Sequence, residues 1–202
     1  MQPAVVVTAD IVHFTRLALK KQKELVAGIA VVFGTARFEF YRGDSFQAYL
    51  KQPAPALRAV LQARALARSF GVEQDVRASI GIGPVDSPVR SLRTATGAAF
   101  VLSGRSFDEM TGADRLRIVT ESETEQSALR ILAYYCDSLF RRLTAKQAAV
   151  IFELLAGSTQ VEAAKKRKIA QATANKHAQA GGWSEMDRLL REYEKLVTPQ
   201  TT

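Results

Sequence analysis

Two rhythms of apolar residues divide this chain, and the change comes near Leu143. Before it, short β-branched and aromatic runs alternate with longer stretches of helical spacing. "AVVVTADIVHF" carries Val5, Val6 and Val7 in succession and predicts a buried strand ending near Asp10. "TRLALKKQKELVAGI" has apolar residues at helical spacing and lysines on the other face, so a helix follows. "AVVFGTARFEFYRGDSFQAYL" predicts two strands joined near Gly43. "PAPALRAVLQARALARSF" predicts a second helix, with Pro55 in its first turn and Gly71 just past its end. "VRASIGIGPV" reads as a strand, "TATGAAFVLSGRSFDEM" as a helix and "DRLRIVT" as a short strand. "ESETEQSALRILAYYCDSLFRRL" is a helix with an acidic first turn and a basic end, the order the helix dipole favours.

The predicted order through about residue 120 is β-α-β-β-α-β-α-β. Strands interleaved with helices imply a sheet covered by helices, an α/β (α+β) class. The β-α-β-β-α-β part has the ferredoxin-like arrangement.

After Leu143 no strand signal remains and alanine is frequent. "TAKQAAVIFELLAG" predicts a helix that Thr144 caps and Gly157 ends. "STQVEAAKKRKI" predicts a second, from Ser158 or Thr159, and "QATANKHAQAG" a short third. "WSEMDRLLREYEKLV" predicts the last, with Ser184 as its cap and Trp183 packed under it. "TPQTT" reads as a frayed tail. The expected organisation is a sheet domain over 1–122, a connecting helix over 123–142 and a small all-α module over 143–202.

Charge sharpens the picture of the second part. The 202 residues carry a formal net charge of +8, which favours anionic partners. Val150, Ile151, Leu154 and Leu155 form one apolar stripe; Val161, Ala164 and Ile169 form another. Small residues, Ala163 and Ala164, stand where two helices would cross closely. The third helix would turn Gln171, Thr173, Asn175, Lys176 and Gln179 outward, side chains suited to base edges and phosphates. "KKRK", Lys165, Lys166, Arg167 and Lys168, lies beside them, and no acid occurs between Glu162 and Glu185. Such a block supplies phosphate attraction, the sequence-independent part of DNA affinity. His177 reads as a phosphate or base contact or an exposed residue rather than a metal ligand, since no second ligand is nearby. The segment 143–183 resembles the bacterial helix-turn-helix of sigma-factor and LuxR-type regulators. That resemblance implies that the helix beginning near Gln171 enters the major groove, and that Lys168 or Ile169 occupies a turn position usually held by glycine.

A single cysteine, Cys136, excludes an internal disulfide and any multi-cysteine zinc site, and reads as a small core residue. The longest apolar run, Val26 to Phe33, is far short of the roughly 20 residues a membrane span needs. A cytoplasmic protein with no membrane partner is expected. There is no phosphate-binding G-x-x-x-x-G-K-[ST] loop. His13 follows the first strand, as a structural residue or a phosphate contact.

Asp10 and Asp44 are the candidate chemistry of the first part. Asp10 stands at the end of a central strand, and Asp44 at the tip of a hairpin expected beside it. Two carboxylates so placed suit Mg²⁺ or Mn²⁺, with phosphate oxygens and waters completing the shell. Spacing alone favours the plainer reading, a turn aspartate after glycine and a strand-end helix cap.

"ADIVHFT", "YRGDSF", "RASIGIGPV" and "TGAAFVLSGRSF" in this order resemble the catalytic domain of class III nucleotidyl cyclases. The resemblance implies Asp10 and Asp44 as metal ligands, Phe14 and Gly43 at a nucleotide, and Arg105 as the catalytic, transition-state arginine. It implies a site formed between two subunits, hence a homodimer. His13 stands where the family has glycine, Val101 where it has the ribose-orienting asparagine, and Phe40 where adenylyl cyclases have a base-selecting lysine. Valine makes none of the asparagine's hydrogen bonds, so recognition of the ribose is missing. "DIVHF", "RGDSFQ", "IGIG" and Thr96-Gly97, with a helix-turn-helix after them, are similar to the SatD family of bacterial proteins. That resemblance implies a DNA-binding transcriptional regulator whose degenerate cyclase-like domain is sensory or dimerising. The alternative is a metal-dependent nucleotidyl cyclase or nucleotidyltransferase.

Overall fold

The computed structural model describes residues 3–86 and 88–198. Five strands form one sheet in the order β2-β3-β1-β4-β5: β1 (Ala4–Val12), β2 (Arg37–Tyr41), β3 (Ser45–Leu50), β4 (Asp75–Gly83) and β5 (Leu116–Thr120). Strand β1 runs antiparallel to both β3 and β4, β2 is antiparallel to β3, and β5 is parallel to β4. Two split βαβ units therefore interlock about β1, the ferredoxin-like arrangement expected from the element order. Helix α1 (Leu19–Val32) makes the first crossover and α2 (Ala56–Ser69) the second; α3 (Ala98–Asp108) crosses from β4 to the added strand β5.

Alternation along β1 sorts the two faces. Val5, Val7, Ala9 and Ile11 enter the main core, with Leu25 and Ile29 of α1 and Leu57, Val60 and Leu61 of α2. Ala4 and Val6 point the other way, into a smaller cluster with Val85, Val89, Leu92 and Ala99. On this second face α3 lies close against β4. A Cβ on Gly81 would stand 2.5 Å from the carbonyl oxygen of Ala99 and 2.6 Å from the nitrogen of Ser103. The glycine spacing Gly81-Ile82-Gly83 is therefore a packing requirement of α3.

Three boundaries and one buried face differ from expectation. β1 continues to Val12, so Asp10 lies inside the strand, paired with Ser45 on one side and Arg77 on the other. The first helix begins at Leu19, because His13 takes a left-handed conformation (φ 55°) and starts a short 3₁₀ turn over Phe14–Arg16. The last helix is entered through Gly182 (φ 70°), and Ser184 sits within its first turn instead of capping it. Val161 is 55% exposed; the buried face of its helix is carried by Ala163 and Ala164.

The helical part comprises α4 (Glu123–Arg142), α5 (Ala145–Leu155), α6 (Gln160–Arg167), α7 (Gln171–Ala180) and α8 (Trp183–Val197). Thr144 caps α5 through a capping box with Gln147, and Thr159 caps α6 through one with Glu162. These helices share the main core with the sheet: Ile151, Leu154, Met186 and Leu190 belong to the same apolar cluster as Val5 and Leu57. α5 packs on α2, and the buried Tyr193 of α8 donates to the carbonyl of Pro53 at 3.0 Å.

Polar groups tie α4 to α2. Arg64, fully buried on α2, binds Asp75 through Nε and Nη2 at 2.9 and 3.0 Å and Asp137 of α4 through Nη1 at 2.5 Å. Its guanidinium also lies 4.4 Å from the ring centre of Phe140. The second oxygen of Asp137 accepts the backbone N–H groups of Arg115 and Leu116 at 2.9 and 3.1 Å. One turn further along α2, Arg68 donates to the carbonyls of Leu143 and Arg141, orphan acceptors at the end of α4.

Candidate functional site

The sheet face beneath α3 carries a line of polar side chains where a buried strand would hold apolar ones. Gln47 donates to Thr8 at 3.3 Å, and Thr8 shares a 3.0 Å hydrogen bond with Ser103 of α3. Asp10 follows two residues along the same face. Arg77, directly opposite it on β4, grips both carboxylate oxygens, with Nη2–Oδ2 at 2.6 Å and Nε–Oδ1 at 3.3 Å. The guanidinium stacks over Phe107 of α3, 4.6 Å from the ring centre. Planar, bidentate pairing of this kind is what an arginine fork provides.

The hairpin does bring Asp44 to this strand. Arg42 (φ 52°) and Gly43 (φ 88°) make the turn, and the carbonyl of Asp44 accepts the N–H of Ile11 at 3.0 Å. The Asp44 carboxylate accepts from the hydroxyl of Ser45 at 3.3 Å. Gly43 faces open space, and the half-buried Phe14 packs on the main core.

A resident divalent cation does not fit this donor set as it stands. Mg²⁺ needs carboxylate oxygens free to coordinate, and both oxygens of Asp10 are bound by a protein cation. Among the described residues no group of three or more His, Cys, Asp or Glu gathers to supplement them. Arg77 was legible in principle: Asp10 puts a charge into an otherwise uncharged strand and Arg77 puts one of opposite sign into another, which signals a cross-strand partner.

Arg105 lies elsewhere. It is exposed on the side of α3 that faces α4, in a groove of about 620 Å³ shared with Val101 and Arg117. Within one chain Arg105 is therefore set in the groove and Asp10 in the polar line beneath α3.

In the helical part, α6 and α7 are joined by the short turn 168–170. Lys168 takes the left-handed conformation there (φ 54°), and the N–H of Ile169 returns to the carbonyl of Ala164 at 3.0 Å. Ala163, Ala164, Ala174 and Ala178 are the buried residues of α6 and α7, which pack on α5 and on each other. Gln171, Thr173, Asn175, Lys176 and Gln179 are all exposed, and His177 is half-buried.

The basic block divides into two pairs. Lys166 and Arg167 turn back to the buried Glu153 of α5 at 3.4 and 3.3 Å, and Arg167 also donates to the carbonyl of Ala149. Lys166 reaches Ser158 as well, at 2.9 Å. Lys165 and Lys168 are exposed and, among the described residues, make no ion pair. Glu153 was not foreseen, although an acid inside the apolar run "AVIFELL" is the kind of residue that seeks a cation.

No helix among the described residues is long and apolar enough to cross a membrane. No family model matches the chain, and no curated protein does. Among solved structures, a bacterial light-regulated adenylyl cyclase is similar at 13% identity with a TM-score of 0.38, over 58% of this chain and 43% of that one. The chain thus spans less than half the length of that protein.

Proposed function

We propose that this protein is a DNA-binding transcriptional regulator, and that its ferredoxin-like domain is a degenerate cyclase-like module serving sensing or dimerisation. The observation that carries the reading is the α6–α7 pair. A short turn through the left-handed Lys168 joins two packed helices whose buried residues are alanines, and the second presents Gln171, Thr173, Asn175 and Lys176 to solvent. In this reading α7 enters the major groove and its side chains meet base edges. Lys165, Lys168 and Lys176 neutralise phosphates, with His177 beside them. Lys166 and Arg167 hold α6 to Glu153 and act on the DNA through their field more than by touching it. The resemblance of its short motifs to the SatD family favours the same architecture, and a homodimer would suit a palindromic site.

The enzymatic alternative, a cyclase or nucleotidyltransferase using Mg²⁺ or Mn²⁺ on a nucleotide, finds less support. It requires Arg77 to release Asp10, and Val101 has no group to orient a ribose.

Fluorescence anisotropy with labelled duplex DNA tests the regulator reading. Binding should be saturable and weaken steeply with salt. Replacing Lys165 and Lys168 by alanine should lower the slope of log K against log[salt] by about 0.9 for each phosphate left without its lysine. Unchanged slope and affinity in that double variant would sink the assignment of α6 and α7.

A further inference from the structure

We propose that the groove between α3 and α4 is a binding site for a small anionic ligand with an aromatic or apolar body. Its role as the regulator's effector site rests on the reading above; its occupancy does not.

The groove has the size of a small-molecule site, about 620 Å³. Val101 and Leu102 of α3 line one wall, Ala133 and Tyr134 of α4 the other, and Val119 of β5 the floor. Val101 remains 47% exposed and Tyr134 69%, so the apolar walls are left open. Tyr134 offers a ring for a flat ligand to lie against.

The charges decide the sign of the ligand. Three carboxylates line the groove, and each already has a cation. Glu109 and Asp114 pair with Arg117 at 3.4 and 3.1 Å, and Asp137 pairs with the buried Arg64. Gln126 spends its amide on the strand, accepting from the N–H of Thr120 and donating to the carbonyl of Ile118. What remains is Arg105 on one wall and Arg130 on the other. Both are exposed, and neither has an ion-pair or hydrogen-bond partner for its side chain among the described residues. Ser106, only 6% exposed, also lines the groove, and its hydroxyl lacks a partner among the described residues. Two unpaired guanidiniums across an apolar cleft select an anionic head and an apolar body. Such chemistry belongs to a long-chain carboxylate or to a nucleoside phosphate.

Anilinonaphthalene sulfonate, an anionic aromatic probe, tests this on the full chain. It should bind saturably at one site. The double variant Arg105→Gln, Arg130→Gln should weaken it about tenfold or more, as removal of charge-assisted hydrogen bonds demands. Val101→Trp, at an exposed rim position, should block it while far-UV circular dichroism stays unchanged. Competition then identifies the source: displacement by dodecanoate marks a lipid-like carboxylate, and displacement by AMP marks a nucleotide. Wild-type affinity in the arginine variant, or displacement by neither competitor, overturns the proposal. The DNA titration with the lysine variants is independent, so either proposal can fail alone.

Discussion

Arg77 closes on Asp10 across the β1–β4 ladder, with both carboxylate oxygens engaged and Nη2–Oδ2 at 2.6 Å. The pair is partly exposed, with side-chain exposures of 32% and 23%. It sets the electrostatics of the candidate site, because a positive charge already stands where a cation would bind.

Removing that charge should therefore uncover the carboxylate. Arg77→Ala should bind Mn²⁺ about tenfold or more tightly than the wild type, measured by electron paramagnetic resonance of free manganese. Equal affinity in the two proteins would mean that the ion pair does not contest the carboxylate. Asp10→Asn in the Arg77→Ala background should return the affinity to the wild-type level.

Arg64 should be a stability determinant. Burial alone pulls its pKa down, but Asp75 and Asp137 overcome this and hold it above the ordinary arginine value. Arg64→Met leaves two buried carboxylates without their cation and should cost about 3–5 kcal/mol. Urea unfolding measures it. A loss under about 1 kcal/mol would show that relaxation or water replaces the guanidinium.

Lys168 separates folding from binding. Its left-handed conformation strains any residue with a Cβ. Lys168→Gly should raise stability by up to about 1 kcal/mol and weaken DNA binding together. Lys168→Ala should weaken binding without the gain. Thermal unfolding and anisotropy on the same samples check both, and a Gly variant less stable than the Ala variant would contradict the strain argument.

Cys136 should be inert in the native state. Burial pushes its thiol up to about 12, with Asp137 adding to the rise and Arg64 opposing it. The native pKa is thus raised above its unfolded value near 9. The stability it contributes is complete below that value and is lost as pH rises from there toward 12. Ellman's reagent at pH 8 should leave the native protein unlabelled and label it in urea. Rapid stoichiometric reaction without urea would place the thiol at the surface.

Local signals were legible wherever one segment carried the whole cause. The strand and helix order, the turn at Gly43, the caps at Thr144 and Thr159 and the outward polar side chains of α7 all follow from spacing and turn chemistry. Boundaries slipped where a backbone torsion, not a pattern, ends the element, as at His13 and Gly182.

What only the tertiary structure decided is which charges meet. Asp10 with Arg77, Arg64 with Asp75 and Asp137, and Lys166 and Arg167 with Glu153 join residues from different elements. In the sequence Asp10 and Glu153 each stand as a lone charge in an apolar run, announcing that a partner is needed but not which one. Burial makes the partner obligatory, because an unpaired charge in a low-dielectric interior is costly. Its identity depends on sheet register and helix packing. The same packing set Arg105 and Arg130, without side-chain partners among the described residues, on facing walls of one groove, a juxtaposition that no local spacing in the chain encodes.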